Sequence, residues 1–307
     1  MKLIKPKAEL LIQPEGLEGI YKQIEKCGRT CYRSEDKITE DSAKPFVDRM
    51  IKSNHLAMLE HGTVYLKDEY IGGNGDGKLS SLYKYNENKY SKVYDFLFPA
   101  FSRVSVTVTT NFRVLVENGW LNDLQYVCEP TEFHEKRYTF RFTTDRGVSH
   151  ELVRHRVFSF AQESTRYCNY SKDKFGKELT FIIPSWAKNR DEISYTHHFD
   201  VEEREKLQED FGASYGGFIH QLSLIEDEYF YQLEHGRTPQ EARQVLPNAL
   251  KTEVCMTGFA SDWRHFFDLR YFGTTGKPHP DMLQLATLMK VEAEEHGIWN
   301  EISNSNK

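Results

Sequence analysis

Groups that bind anions are concentrated in residues 154–167, whose sequence is RHRVFSFAQESTRY. This segment holds three arginines, one histidine and two serines in fourteen positions, without glycine or proline. A guanidinium group binds a phosphate or a carboxylate through two parallel hydrogen bonds, and serine and histidine add donors at fixed positions. Val157, Phe158 and Phe160 would attach the segment to a core. The residue types therefore predict a rigid pocket for a ligand that carries several negative charges.

An arginine-rich segment can also be a solvated helix face or part of an ion-pair network, because charged side chains are mostly exposed. Glu163 is the only acidic residue within 154–167. The cations of the segment therefore have little local neutralisation, which favours a ligand over an ion-pair network.

Length and composition limit the class of protein. The chain has 307 residues, a formal net charge of -6 and 39% hydrophobic residues, enough for one large α/β domain or two small ones. The acidic balance disfavours a nucleic-acid partner, and the longest apolar run is too short to predict a membrane span. No signal peptide is expected, and five scattered cysteines without a Cys-x-x-Cys pair fit a reducing cytoplasm.

Two segments approach known motifs without completing them. Residues 71–79 are close to a phosphate-binding P-loop, but Leu79 stands where the magnesium-binding hydroxyl residue is required, so a surface loop is expected. His150 and His155 resemble a zinc-protease helix, but their i, i+5 spacing places them on different faces. A metal-dependent nucleotide hydrolase using His150, Glu151 and His155 stays open as an alternative, as does a nucleic-acid-binding module using the arginines.

The elements that would position these residues follow from hydrophobic periodicity. Residues 252–257 are expected to be a strand or a short helix, and His197 and His198 a solvated pair in a loop. Thr238 and Ser261 are expected to cap helices. Strands are expected at about 63–66, 104–109, 137–143 and 178–183. Helices are expected at about 15–27, 42–53, 111–118, 121–127, 147–154, 201–233 with a break near 216–217, 261–270 and 280–296.

Several separated blocks resemble the flavin-dependent thymidylate synthase family. The first is Arg154-His155-Arg156, followed after seven residues by Ser164, with Arg166 and Tyr167 extending the match. The others are Cys31-Tyr32-x-Ser34, His55 with Glu60-His61, Ala242-Arg243-x-x-Leu246-Pro247 and Leu269-Arg270.

The resemblance implies reductive methylation of dUMP to dTMP in thymidylate biosynthesis. The implied carbon donor is 5,10-methylenetetrahydrofolate, the cofactor is FAD and the reductant is NADPH, with no metal and no enzyme nucleophile. Arg270 would be the catalytic residue, holding the uracil ring and stabilising the negative charge that develops there. The residues implied to bind dUMP are Glu151, Arg154, Gln162, Ser164, Arg166, Arg243 and Arg270. Those implied to bind FAD are Ser34, His55, Glu60, Arg154, His155, Arg156 and His265.

The resemblance also implies an architecture. Residues 1–307 would form a single α/β domain of the α+β type, with a central, largely antiparallel sheet flanked by helices and an insertion at about 67–136. The protein would be a homotetramer with active sites at subunit interfaces. Ser164 and Arg166 of one subunit would lie opposite Arg243 and Arg270 of a neighbour.

This chain departs from the family pattern at a few positions. Phe259 and Ser261 stand where the family usually has an asparagine and an arginine that touch flavin. Glu151 replaces a frequent glutamine, and it could be either a ligand contact or a residue that orients an arginine. His61 could equally be a packed histidine, and His279 could be a histidine that the family has after its late helix.

Overall fold

The computed structural model describes residues 1–71, 79–98, 103–198 and 200–305. Most of the P-loop-like segment, residues 72–78, lies outside the described residues. None of the helices in the described ranges is long and apolar enough to cross a membrane.

The described strands are β1 (Lys2–Ile4), β2 (Lys7–Leu10), β3 (Thr63–Ile71), β4 (Lys92–Phe98), β5 (Arg103–Asn111), β6 (Arg137–Asp145), β7 (Ser159–Gln162), β8 (Thr180–Ile182), β9 (Ile193–Ser194) and β10 (Lys251–Phe259). The described α-helices are α1 (Gly16–Thr30), α2 (Ala43–Lys52), α3 (Phe112–Glu117), α4 (Arg146–Leu152), α5 (Glu203–Phe211), α6 (Ala213–Glu234), α7 (Pro239–Ala242), α8 (Ala260–Arg270), α9 (Pro280–Glu295) and α10 (Trp299–Asn304).

Three sheets are formed by these strands. The central sheet has the order β2-β6-β10-β7 and is antiparallel throughout. A second antiparallel sheet has the order β3-β5-β4, and a third has β1 parallel to β8 and antiparallel to β9. The expected mixture of antiparallel sheet and flanking helices is confirmed, although the strands are divided among three sheets.

The central sheet is buried on both faces, which explains the ambiguous sequence of β10. Val254 and Met256 join a core with Trp263 and Phe266 of α8. Cys255 between them joins a different core with α1, α2 and the β3-β5-β4 sheet. Successive side chains of a strand point to opposite faces, so a strand covered on both sides becomes a continuous apolar run.

The described residues within 67–136 contribute to the core. Val106 and Val108 of β5 are fully buried in the same core as Ile24 of α1 and Val47 of α2. Whether this region is an insertion relative to the family stays a prediction. Structurally it supplies one of the sheets on which α1 and α2 pack.

Two sequence predictions about helix boundaries are wrong. The long helix breaks at Gly212, where φ is +86°, and not at 216–217. Gly216 instead lies inside α6, where the backbone of Leu207 in α5 approaches closely. Helix α8 is capped by Phe259, whose N–H donates to the Asp262 carboxylate at 3.1 Å, and the hydroxyl of Ser261 donates to Glu135.

Candidate active site

Residues 154–167, which the sequence predicts to bind anions, run from the end of α4 into an edge strand. Helix α4 begins at Asp145, whose carboxylate accepts the N–H of Val148 at 2.8 Å. The chain then turns through His155 into β7, which pairs only with β10 in the central sheet and places Gln162 opposite Val254. The sequence predicted a rigid segment but not this strand. Because β7 is an edge strand, the residues that follow it leave the sheet as a loop.

Arg270, at the end of α8, is held by two other predicted site residues. Its Nη1 donates to Glu151 Oε2 at 2.7 Å, and its Nε donates to His155 Nε2 at 3.0 Å. Its Nη2 lies 3.4 Å from the main-chain oxygen of Glu151. The sequence left open whether Glu151 contacts a ligand or orients an arginine. These contacts show that it orients Arg270. Glu151 also lines, together with His279, a cleft of about 330 Å³ beside α4.

The electrostatics of this cluster keep His155 neutral. Burial lowers the pKa of His155 to about 4, and the charge of Arg270 and the nearby His265 act in the same direction. A neutral ring with Nε2 as the acceptor from Arg270 carries its proton on Nδ1. His155 is therefore a fixed acceptor for the guanidinium group and not a cation in its own right.

A second group of predicted residues lies in the loop after β7. The N–H of Ser164 donates to the main-chain oxygen of Cys31 at 3.0 Å, and the rings of Tyr32 and Tyr167 are 5.5 Å apart. Arg243 Nη1 donates to Thr165 Oγ1 at 3.3 Å. Three blocks of the resemblance that are distant in sequence are thus adjacent in the fold.

The resemblance implied that Arg243 and Arg270 of one subunit lie opposite Ser164 and Arg166 of a neighbour, but Arg243 contacts the loop of Ser164 and Arg166 within one chain. Arg243 lies beside Thr165, and so belongs with Ser164 and Arg166. Among the described residues, no hydrogen bond or ion pair joins this group to Arg270. Within the described part of one chain, Arg270 and Arg243 therefore have different contact partners.

The three arginines of residues 154–167 are available to bind a ligand. Arg154, Arg156 and Arg166 are exposed, and their side chains form no hydrogen bond or ion pair with another described residue. Glu163 is buried and pairs with Lys251 at 2.9 Å, not with these arginines. The expectation that the segment lacks local neutralisation is confirmed for the described part of the chain.

A buried ionic network beside this loop was missed in the sequence. Lys251 contacts Glu163 and, at 2.7 Å, Glu253, which also pairs with Arg33. Burial acts in the opposite direction, but Lys251 and Arg33 lower the pKa of Glu253. Arg33 has a left-handed φ of +47°, uncommon for a long side chain. The available signal was the i, i+2 spacing of Lys251 and Glu253 within an otherwise uncharged strand.

The predicted FAD residues are placed differently from one another. Ser34 is buried in the turn after α1, and His55 is exposed before a short 3-10 helix, Leu56–His61. Glu60 pairs with Arg113 at 2.5 Å, so its carboxylate already has a partner. His61 is fully buried, and its Nδ1 lies 2.8 Å from Thr257 Oγ1. The sequence left open whether His61 contacts a ligand or packs in the core. Its burial and its contact with Thr257 are those of a packed histidine.

Other predicted positions lie around these groups. Gln162 donates to Ser149 Oγ at 2.9 Å, which connects β7 to α4. His265 is exposed and lines a cleft of about 560 Å³ with Lys92 and Ser261. The ring of Phe259 is covered by the guanidinium group of Arg137 at 5.4 Å. Phe259 thus binds a cation of its own chain.

Three further observations concern cysteine and histidine side chains that the sequence analysis singled out. Burial raises the pKa of Cys31 and of Cys168 to about 12, so their thiolates are scarce at neutral pH. The expectation of a solvated pair is wrong for His197, whose side chain is 7% exposed and contacts Glu203 and Asp227. His150 is exposed, and His155 already accepts from Arg270, so this helix is not arranged as a metal site.

Comparison with known proteins agrees with the resemblance. Flavin-dependent thymidylate synthases from Corynebacterium aurimucosum and Mycobacterium tuberculosis are 30% and 31% identical over 160 and 165 residues. These alignments cover 50% and 52% of this chain, and 56% and 60% of those proteins. The chain therefore spans a little over half the length of the curated relatives it matches.

A UMP/dUMP methylase, PolB from Streptomyces cacaoi bound with 5-Br dUMP, has a TM-score of 0.44 at 15% identity, covering 98% of this chain and 96% of that one.

The family profile described as "Thymidylate synthase complementing protein" matches residues 117–296. That range contains the Arg270 cluster, the loop after β7 and Arg243, while the blocks at 31–34 and 55–61 precede it. The match covers more than half of the 307 residues, so the chain belongs to the thymidylate synthase complementing protein family, as its resemblance to flavin-dependent thymidylate synthases predicts.

Proposed function

We propose that this protein methylates dUMP reductively to dTMP, with 5,10-methylenetetrahydrofolate as carbon donor, FAD as cofactor and NADPH as reductant. Support comes from the family match and from relatives named flavin-dependent thymidylate synthase. The observation that carries the proposal is the fixed guanidinium group of Arg270, held by Glu151 and His155. We also propose a cytoplasmic homotetramer with active sites at its interfaces.

Arg270 is suited to stabilise charge on a planar ring. A guanidinium group has five N–H donors, and three of those of Arg270 are directed at Glu151 and His155. Two donors remain for a ligand with two adjacent acceptors, such as O4 and the deprotonated N3 of a uracil anion. Because Glu151 and His155 fix the plane of the group, little reorganisation is needed when negative charge develops during attack by C5. We assign Arg270 as the catalytic residue and Glu151 and His155 as positioning residues.

The loop after β7 is suited to bind the phosphate of dUMP. Arg166 is exposed, and its N–H donates to Ser164 Oγ at 3.3 Å, while Arg243 approaches the same loop through Thr165. Two guanidinium groups and a hydroxyl can neutralise and bind a phosphate dianion. We assign Ser164, Arg166 and Arg243 to the phosphate and Gln162 to the nucleoside, while Glu151 acts on the substrate through Arg270.

The residues present fit FAD in part. Arg154 and Arg156 are exposed cations without a described partner, which suits a pyrophosphate group. Ser34 and His55 offer further polar groups, and His265 lines an open cleft. Glu60 fits less well, because its carboxylate is paired with Arg113. When bound and reduced by NADPH, the flavin would supply the hydride that converts the transferred methylene group to a methyl group.

The alternative functions have less support. A metal-dependent hydrolase would need His155 as a ligand, but its Nε2 lone pair accepts from Arg270. A nucleic-acid-binding module would need a broad basic face, whereas the chain has a formal net charge of -6. Neither alternative uses the contact between the turn after α1 and the loop after β7.

Flavin binding tests the proposal without requiring turnover. Purified protein is expected to be yellow, or to bind FAD when it is supplied, in a ratio near one per chain by absorbance and calorimetry. Arg156→Ala should weaken FAD binding by about tenfold or more, since a charge-assisted contact contributes about 1.5–3 kcal/mol. Arg204→Ala, an exposed arginine on α5, is the matched control. Folded protein that binds no flavin would exclude the proposed function.

A further inference from the structure

Three potential metal ligands meet at the start of α5, far in sequence from the residues discussed above. They are His197 in the loop before the helix, Glu203 at its first residue and His220 on α6. One ligand atom from each lies within 4.8 Å of the others. Among the described residues, this is the one group of three or more such side chains with that geometry. Two imidazoles and a carboxylate form a donor set that binds Zn²⁺.

The carboxylate of Glu203 is oriented as a ligand would be. The residue is 3% exposed, so the group is buried. Its Oε1 accepts from the hydroxyl of Tyr195 and, at 2.9 Å, from the N–H of His198. Its Oε2 accepts no hydrogen bond from the described residues and faces His197 Nε2 at 2.6 Å. One carboxylate oxygen is thus fixed by two donors, while the other faces an imidazole nitrogen without a hydrogen bond, which is how a metal ligand would be placed.

His197 is oriented in the same way. Its Nδ1 is bound by the carboxylate of Asp227, on the same helix as His220 and seven residues later. Residues seven apart on a helix lie two turns along the same face. Zinc-bound histidines commonly donate their other ring N–H to a carboxylate, which fixes the ring and its tautomer. Asp227 therefore directs His197 Nε2 towards Glu203 and His220.

The distances need only a small adjustment around an ion. Zinc bonds to nitrogen and oxygen are about 2.0–2.2 Å, so adjacent ligand atoms in a tetrahedral site are about 3.4 Å apart. His197 Nε2 and Glu203 Oε2, at 2.6 Å, would separate by less than about 1 Å. The rings of His197 and His220 are 6.2 Å apart and nearly perpendicular. This arrangement leaves room for both rings to present a nitrogen to one ion.

We propose that His197, Glu203 and His220 bind a divalent transition-metal ion of the Zn²⁺ type, with Asp227 positioning His197. The fourth ligand would be water. The ion would connect the loop before α5 to α6, so its role is to stabilise this part of the fold. This inference does not depend on the proposed methylation, because none of the four residues belongs to the proposed active site.

Untagged protein stripped with a chelator and titrated with Zn²⁺ tests this proposal. We expect one equivalent per chain by calorimetry and by competition with a chromophoric chelator, and a rise in Tm with Zn²⁺ concentration. Glu203→Gln and His220→Ala should weaken Zn²⁺ binding by more than about 100-fold, and Asp227→Asn by about 10- to 100-fold. His198→Ala removes an adjacent exposed histidine and should leave binding unchanged.

Titration of the wild-type protein tests whether Zn²⁺ binds stoichiometrically, even if a variant does not fold. Circular dichroism identifies the folded variants to be compared. An imidazolium form of His197 that bridges Glu203 and Asp227 without a metal would give no stoichiometric Zn²⁺ binding and no rise in Tm. That result would overturn the proposal, and so would equal Zn²⁺ affinity in His220→Ala and His198→Ala.

Discussion

The catalytic role proposed for Arg270 depends on the two residues that position its side chain. Its guanidinium group is fixed by the carboxylate of Glu151 and the neutral ring of His155. An arginine that must bind a planar ring needs its own plane fixed, and both partners serve this purpose. The departure from glutamine to glutamate at position 151 therefore adds an ion pair that orients Arg270.

Replacing Arg270 with lysine tests the need for the planar fork. Arg270→Lys keeps the charge but loses two parallel donors, so kcat should fall by roughly a hundredfold or more, corresponding to about 2–4 kcal/mol. Arg264→Lys is the control, because Arg264 lies on the same helix and pairs with Asp268. Steady-state kinetics are measured for both variants and for Glu151→Gln with and without Arg270→Lys. The comparison gives the coupling energy between Glu151 and Arg270 in kcat. Near-normal turnover by Arg270→Lys would remove Arg270 from the uracil site.

The lowered pKa of His155 predicts a contribution to acid sensitivity. The unfolded chain binds a proton on this histidine near pH 6.5, but the folded protein does so only near its pKa of about 4. Between these values the unfolded state binds more protons, so the free energy of unfolding decreases as the pH falls. At pH 5 the loss should be on the order of 1–2 kcal/mol.

Denaturant unfolding between pH 7 and pH 4.5 measures this effect. His155→Gln should flatten the dependence of unfolding free energy on pH, whatever its effect on stability at pH 7. His150→Gln, at an exposed histidine on α4, is the control and should follow the wild type. Parallel curves for His155→Gln and the wild type would contradict the assignment.

At the scale of elements, adjacent glycines on α6 have different environments. A Cβ at Gly216 would lie 2.1 Å from the main-chain oxygen of Leu207 in α5. A Cβ at Gly217 would meet only the side chain of Gln208, at 3.6 Å. The close approach of α5 and α6 therefore depends on Gly216 and not on Gly217. The same two helices carry Glu203 and His220.

Alanine substitutions at these two positions should have opposite effects. Gly216→Ala should destabilise the protein by at least about 1–3 kcal/mol, because two backbones must separate. Gly217→Ala should be neutral or stabilise by up to about 1 kcal/mol, since alanine has the higher helix propensity. Chemical denaturation of both variants gives the comparison. Equal effects would show that α5 and α6 are not packed as described.

Several elements could be predicted because their patterns are local. Helices α1, α2 and α9 have regular apolar spacing, and their ends lie within a few residues of the expected positions. Strands β1, β2 and β7 have only three or four residues each, too few for a period to be recognised. The break at Gly212 was missed because a glycine pair also occurs at 216–217, and only tertiary contact distinguishes their roles.

The candidate site could be predicted as a set of residues but not as an arrangement. The blocks containing Ser34, Ser164, Arg243 and Arg270 were recognisable in sequence. Their contacts depend on how β7, β10 and α8 pack, which no single block determines. The pairing of Arg243 with Thr165 and the burial of His197 therefore required the structure.

At the scale of the whole molecule, the proposed dUMP residues make their contacts at two places in one chain. Arg270 lies with Glu151 and His155, while Arg166 and Arg243 lie at the loop after β7. A site at a subunit interface would join one group from each of two chains. The proposed homotetramer would supply such interfaces, with Arg243 on the side of Arg166 and not, as the resemblance implied, on the side of Arg270.

Mixed tetramers test the shared site. Arg166→Ala and Arg270→Ala chains should each be inactive alone. After co-expression with equal mixing, about one site in four would combine an intact Arg166 with an intact Arg270 from different subunits. Turnover per flavin, with subunit composition determined by mass spectrometry, should approach a quarter of the wild-type value. Activity no higher than that of either parent would place both arginines of a site in the same chain.

The products formed from dUMP test the proposed reaction most directly. The protein is incubated with dUMP, FAD, NADPH and 5,10-methylenetetrahydrofolate labelled at its methylene carbon, and the products are resolved by mass spectrometry. Because the proposed hydride comes from reduced flavin, labelled dTMP and tetrahydrofolate should form in equal amounts, and only when FAD and NADPH are present. Folded protein that binds both FAD and dUMP but forms no labelled dTMP would contradict the account, as would dTMP formed with dihydrofolate and without flavin.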